Sequence, residues 1–222
     1  MSFRKAAILA LASGIALAGA AFAQQRAPYV VLNPAQPAET DKVEVLEFFS
    51  YACPHCYSLE PAITAWQKTM PKDVVFKRVP AVGSSQWTNL ASVFFTIEAM
   101  GLLEQNHGKI FDAIHKQNVN LGNEKLRDEW LAKNGIDAAK FKEVEKSFSV
   151  MTKLQRARQM AGNYKVDSVP RFVVNGKYVV SSETVGDQSQ MMSAVDVAVA
   201  NSRREMAASA PAAPAPAGTA KR

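Results

Sequence analysis

Cysteine is nearly absent from this chain: two residues in 222, Cys53 and Cys56. Structural zinc asks for about four nitrogen or sulfur ligands, and no second cysteine pair exists to supply them. His55 could add a third ligand, but the other two histidines, His107 and His115, lie far along the chain. A structural staple is also poor, because bridging positions 53 and 56 closes almost no loop and stabilisation grows with loop length. Net charge is scarce as well. The formal +6 falls to +4 if Arg4 and Lys5 leave with an N-terminal leader. Arg26, Lys221 and Arg222 carry three of what remains, so the folded body sits near +1. That argues against a nucleic-acid footprint. Long apolar runs are limited to one, from Ala6 to about Ala21, and it is shorter than the roughly 20 residues that span a bilayer. Arg4-Lys5 before it and Ala21-Phe22-Ala23 after it make the three regions of a secretory signal peptide, expected to be cut after Ala23.

What is present concentrates in Glu47-Phe48-Phe49-Ser50-Tyr51-Ala52-Cys53-Pro54-His55-Cys56-Tyr57. Val43 to Phe49 is a β-branched and aromatic run with little alternation, the pattern of a strand covered on both faces. After Ser50 the period changes. Cys56, Leu59, Ile63, Trp66 and Met70 recur at helical steps and form a single apolar stripe. That register turns Cys56 toward the core and leaves Cys53 at the exposed N-terminal end. Redox exchange needs only these two sulfurs, one available and one shielded; a staple and a metal site are the weaker readings. A helix N-terminus offers Cys53 unpaired N–H groups and the positive end of the helix dipole. Pro54 suits the first turn, where its missing N–H costs nothing, and His55 adds a donor and, when protonated, a positive charge. All three favour the Cys53 thiolate. A stabilised reduced form makes the disulfide a stronger oxidant, so donation of a disulfide is favoured over its reduction.

The Phe48-Phe49-Ser50-Tyr51 run leading into Cys53-Pro54-His55-Cys56-Tyr57 resembles the DsbA family of thiol:disulfide oxidoreductases, which use a thioredoxin fold. A second block agrees: Val169-Pro170 followed by Arg171-Phe172-Val173-Val174-Asn175-Gly176-Lys177-Tyr178. The resemblance covers roughly Tyr29 to Arg204. It implies a cis-proline at Pro170 facing the redox pair and Val169 backbone groups that pair with an extended substrate. It implies no bound cofactor. Substrates would be unfolded or partly folded exported proteins with free cysteines, met in the periplasm, where disulfides persist. A DsbB-like quinone-linked membrane protein would reoxidise the dithiol, and a monomer is expected. A periplasmic disulfide reductase or isomerase, and a non-enzymatic metal chaperone using Cys53, Cys56 and His55, are the alternatives.

Along the chain the expected fold is α/β: a thioredoxin-like unit with a helical subdomain inserted between its βαβ half and its C-terminal ββα half. The divisions are 1–23 for the signal peptide, 24–80 for the first half, 81–162 for the insertion, 163–206 for the second half, and 207–222 for a disordered Ala/Pro-rich tail. Tyr29 to Leu32 reads as an edge strand and Val74 to Val79 as the strand that follows the first helix, with Pro61 interrupting and kinking that helix. In the insertion, apolar stripes run through Leu90, Val93, Phe94, Ile97 and Met100, then His107, Ile110, Phe111 and Ile114, then Leu126, Trp130 and Leu131. Asp137 caps a last pattern through Phe141, Val144, Phe148, Met151, Leu154 and Met160, broken near Ser147–Ser149. His107 and His115 read as packing or solvated histidines. Asn175-Gly176 between two β-branched runs signals a two-residue hairpin.

Glu47 is the least expected residue of its strand. Burying it ionised is costly, so its pKa should rise toward neutrality. It either reaches solvent or pairs with Lys77 or Arg78, or it accepts the proton of the shielded Cys56 thiol. DsbA-like proteins carry a buried acid at the matching place, which favours the second role. The family's neighbouring lysine aligns with Arg78, which leaves the charge partner of Glu47 open. The candidate catalytic residues are thus Cys53, Cys56, Pro54, His55 and Glu47, with Val169 and Pro170 on the substrate side.

Overall fold

The computed structural model describes residues 27–209. The signal-peptide segment, Arg26 and the tail from residue 210 lie outside them. Five strands form one sheet in the order β1-β5-β4-β2-β3, where β1 is Val30–Val31, β2 Val43–Phe49, β3 Val74–Pro80, β4 Arg171–Val174 and β5 Tyr178–Ser181. Only β2 and β3 run parallel; β4 pairs antiparallel with β2 and β5, and β5 with β1. Every residue of β2 is buried, as an unalternating apolar run requires of a central strand. The short β1 forms one edge and β3 the other.

Helix α1 (Pro54–Thr69) connects β2 to β3. It runs through Pro61 instead of being interrupted there; Pro61 is exposed, so its missing N–H falls where water can satisfy the freed carbonyl. Between β3 and β4 stand five helices: α2 (Ser85–Ala99), α3 (Leu103–His115), α4 (Glu124–Lys133), α5 (Ala138–Glu145) and α6 (Phe148–Asn163). After β5 come α7 (Ser182–Val185), a 3-10 turn (Gln188–Gln190) and α8 (Met191–Ser209). Helix α8 therefore runs three residues past the boundary expected at 206.

The sheet separates two cores. Val43 and Val45 of β2, with Phe172 and Val174 of β4, pack against Leu59, Ile63 and Trp66 of α1 and Met191, Val195 and Val199 of α8. Leu46 and Phe48 pack instead against the insertion, with Phe94, Ile97, Phe111 and Phe141. Two details of the insertion depart from its apolar pattern. Leu126 is 39% exposed, and Arg127 is buried in its stead, over the Phe141 ring and bonded to Glu145. Phe148 and Met151 are exposed while Val150 and Ala157 face the core. Ser147 caps α6 by accepting from Val150 N–H, so the helix restarts there and its inward face is set afresh.

The β4–β5 turn is the hairpin signalled by Asn175-Gly176, with φ +49° and +67°, the left-handed pair that a type I′ turn needs. A Cβ on Gly176 would also lie 1.9 Å from the Gln36 carbonyl oxygen, so no other residue fits.

Candidate active site

The turn between β2 and α1 places Cys53 as the N-cap of α1. Its N–H bonds the Ser50 carbonyl at 3.0 Å, and its carbonyl accepts from Tyr57 N–H at 3.1 Å. Its sulfur accepts from Cys56 N–H at 3.3 Å, one of the donors a helix start leaves unpaired. Pro54 occupies the first helical turn. Both cysteines are free thiols. Cys56 is fully buried, and Cys53 is 8% exposed. The asymmetry has the expected direction, but Cys53 is more covered than a helix end alone implies. Val169 lies against it, its carbonyl oxygen 3.4 Å from Cys53 Sγ, a bond the sulfur can donate only while it is protonated. The Val169–Pro170 peptide is cis. His55 is exposed, and its carbonyl accepts from the Gln188 amide at 2.6 Å.

The two sulfurs are driven apart in acidity. The Cys56 thiol, donating toward the Cys53 sulfur, is the largest influence on Cys53; burial opposes it, and the N–H groups of Cys56 and His55 and the His55 ring add to it. Cys53 comes down to about 6. Burial pushes Cys56 far above the ordinary thiol range, reinforced by its hydrogen bond to Cys53 and by the Cys53 charge. At neutral pH the site holds one thiolate and one thiol.

Glu47 is fully buried in β2, which excludes a route to solvent. Arg78 of β3 is its register partner. The Arg78 Nε atom stands 3.1 Å from Glu47 Oε2 without the alignment of a hydrogen bond, so both carboxylate oxygens are buried and unbonded. Burial, offset in part by Arg78 and aided by Glu60 and Cys53, raises Glu47 to about 8. Lys77, the other expected partner, turns to Glu44 and Glu39 instead. Arg78 also holds Glu60 of α1, with Nη2 2.9 Å from both oxygens.

The structure brings Cys53, Pro54, His55, Cys56, Val169 and Pro170 together at one end of the sheet, with Glu47 nearby in β2. It adds residues that the sequence pattern had assigned to packing. Tyr51 Oη is 2.7 Å from His107 Nδ1, the Tyr51 carbonyl accepts from His115 Nε2 at 2.8 Å, and Phe111 meets the Tyr51 ring edge-on at 4.9 Å. One stripe of α3 thus grips the residue two positions before Cys53. Helical spacing of His107, Phe111 and His115 was visible; their common target was not. Among the described residues no cluster of three or more His, Cys, Asp or Glu side chains could hold a metal ion.

An asymmetric dithiol at a helix N-cap, on a βαβ–ββα frame with a cis-proline loop against it, defines a thioredoxin-fold oxidoreductase. A family model described as the DSBA-like thioredoxin domain matches residues 72–196. The thiol:disulfide interchange protein DsbA of Bordetella parapertussis is 40% identical over 203 residues, spanning 90% of this chain and 97% of that protein. The DsbA of Azotobacter vinelandii is 39% identical, spanning 79% and 82%. The crystal structure of Pseudomonas aeruginosa DsbA superposes with a TM-score of 0.76 at 35% identity, over 80% of this chain and 93% of that one. Reduced DsbA1 from Neisseria meningitidis gives 0.71 at 28% identity, over 82% and 95%. The chain belongs to the DsbA family.

Proposed function

We infer that this protein is a thiol:disulfide oxidoreductase that donates its Cys53–Cys56 disulfide to newly exported proteins. The observation that carries this is the divergence of the two sulfurs: Cys53 is lowered to about 6 at a helix N-cap, while Cys56 is shut in the core. A lowered Cys53 is a good leaving group and a stable product, so the reduced protein is favoured.

The reaction starts from the disulfide. A substrate thiolate attacks Cys53 Sγ, the Cys53–Cys56 bond breaks, and Cys56 leaves as a thiolate. Glu47, uncharged at neutral pH, gives that thiolate its proton and takes one back from the Cys56 thiol when the dithiol is reoxidised. A second substrate thiolate attacks the substrate sulfur of the mixed disulfide, forming the substrate disulfide and releasing Cys53 as a thiolate. Two electrons have passed from substrate to protein. The Val169 carbonyl, 3.4 Å from Cys53 Sγ, lines the edge where an extended peptide adds as a strand, and Pro170 continues that edge. The His55 N–H and ring favour the Cys53 thiolate.

The substrates are unfolded chains with free cysteines in the periplasm, reached by export on the 1–23 segment. A quinone-linked membrane protein of the DsbB type takes the two electrons onward. Mixing oxidised protein with a reduced two-cysteine peptide tests the donor reading: the peptide disulfide should appear in step with protein thiols. A peptide that stays reduced while the protein holds its disulfide would refute it. The Cys56→Ala variant should accumulate the mixed disulfide at Cys53, and attachment elsewhere would refute the assignment of the attacked sulfur.

A further inference from the structure

His107 takes no part in the steps above, yet it is 6% exposed and bonded at both ring nitrogens. Its Nε2 atom stands 3.2 Å from Glu60 Oε1. Burial disfavours ionising Glu60, but bonds from His107 and the charge and bonds of Arg78 outweigh it and hold that carboxyl down. An ionised carboxylate only accepts hydrogen bonds, so His107 Nε2 carries the proton. The Nδ1 atom, left with its lone pair, accepts from the Tyr51 hydroxyl at 2.7 Å. Burial, with Arg78 adding to it against the pull of Glu60, keeps the ring from taking a second proton.

Glu60 is therefore supplied from two sides, by His107 and by Arg78. Arg78 faces a second carboxylate, Glu47, which has no hydrogen bond at all. One guanidinium thus stands between acids on two elements, Glu60 on α1 and Glu47 on β2. A planar, multi-donor guanidinium can divide itself this way where a lysine ammonium is a point charge.

We propose that His107 is a positioning residue for disulfide exchange: by donating to Glu60 it leaves Arg78 free to support Glu47, and so sets how readily Glu47 gives up and regains the proton it trades with Cys56. This rests on the reading of Glu47 as the proton partner of Cys56. The charged and titratable groups around Glu47 are Arg78 from β3, Glu60 and Cys56 from α1, and Cys53 from the turn. His107 of α3 and Tyr51 reach it through Glu60, and Glu98 of α2 acts on the Tyr51 end. Without the His107 donor, Glu60 draws the guanidinium to itself and the Glu47 anion loses support. Without the Glu60 charge, Arg78 turns wholly to Glu47 and a like charge disappears. The two changes push Glu47 in opposite directions. A role confined to packing has no reason to do so.

The test is a carbon-13 NMR titration of the Glu47 carboxyl in the oxidised protein, where neither cysteine titrates. His107→Leu should raise the Glu47 midpoint by about one pH unit, the scale on which one charged neighbour moves a carboxyl. His107→Gln keeps an N–H donor and should stay near the unsubstituted protein, and Glu60→Gln should lower the midpoint. The pH profile of mixed-disulfide resolution by Cys56 should shift in the same order. An unmoved midpoint in His107→Leu, an equal rise in His107→Gln, or no fall in Glu60→Gln would overturn the proposal, and the last comparison stands even if His107→Leu does not fold. The underlying reading fails separately: with Glu47→Gln, an unchanged Cys56 profile would show that Glu47 is not the proton partner, whatever sets its titration.

Discussion

Strand β2 carries two buried glutamates three residues apart, and their surroundings make them different groups. Glu44 is 1% exposed and Glu47 fully buried, and β-strand alternation puts them on opposite faces. Glu44 looks toward the insertion and accepts a hydrogen bond from Lys77 at 2.6 Å, whose side chain is 40% exposed and tethers the pair to solvent. Glu47 looks toward α1, on a face otherwise built of hydrocarbon, and receives only the unaligned approach of an arginine already engaged by Glu60. One acid keeps a lysine on Oε1 and leaves only Oε2 unbonded. The other is left short of bonds beside a dithiol, and burial lifts it to about 8, in the range where an acid can give and take protons at neutral pH. Residue type is the same; hydrogen bonding and access to water decide the role.

Four outcomes would sharpen or break this contrast. The largest concerns the hydrocarbon face. Ile63→Ala should cost about 2–5 kcal/mol of stability through lost burial and the cavity left behind, with the reduction potential unmoved; denaturant unfolding paired with redox equilibration checks both. A shift in potential would mean that this face tunes the site as well as supporting it.

Glu47→Gln comes next. An acid whose folded pKa is raised binds more protons folded than unfolded, so stability is fullest below its unfolded value, near 4.5, and declines as pH rises toward about 8. Unfolding the oxidised protein across that window should show the decline, on the order of 3 kcal/mol. Glu47→Gln should abolish that loss, leaving the variant the more stable protein at pH 8. The same substitution should slow the Cys56-dependent step by about tenfold or more in stopped-flow exchange with a thiol peptide, at the low end of what a placed acid–base group contributes.

Glu44→Gln should do the least. Loss of the Lys77 hydrogen bond should cost about 1 kcal/mol, with exchange rates within about twofold of the unsubstituted protein. If Glu44→Gln slowed exchange as much as Glu47→Gln, the contrast between the two acids would collapse.

Much of this arrangement was legible in the chain because it is local. A strand buried on both faces shows as the unbroken apolar run Val43–Phe49, and a helix start shows as the change of period at Cys56. Asn175-Gly176 announces its own turn because few residue pairs tolerate two left-handed conformations. The separation of Cys53 from Cys56 follows from one helical stripe. The rest depends on residues that meet only through tertiary packing. Glu60 and His107 are 47 positions apart, and Tyr51 and His107 are 56 apart, so no periodicity links them. His107 lies on an apolar stripe whether or not its nitrogens are bonded. The coverage of Cys53 likewise comes from Val169, 116 residues away. In α6 the expected Leu154 and Met160 do pack on the core, but Phe148 and Met151 do not, because the Ser147 cap restarts the helix and a phase carried across a break is no guide to the next turn.

The central claim is that a stabilised Cys53 thiolate makes the disulfide an oxidant, and the reduction potential of Cys53–Cys56 measured against pH tests it most directly. Below the Cys53 pKa two protons accompany two electrons and the potential should fall by about 59 mV per pH unit; above it one proton does, and the slope should halve to about 30 mV. That break is expected near pH 6, with a potential at neutral pH well above the roughly −270 mV of thioredoxin. A thioredoxin-like potential whose slope stays unbroken up to the ordinary thiol range would contradict it, and would make this protein a reductant.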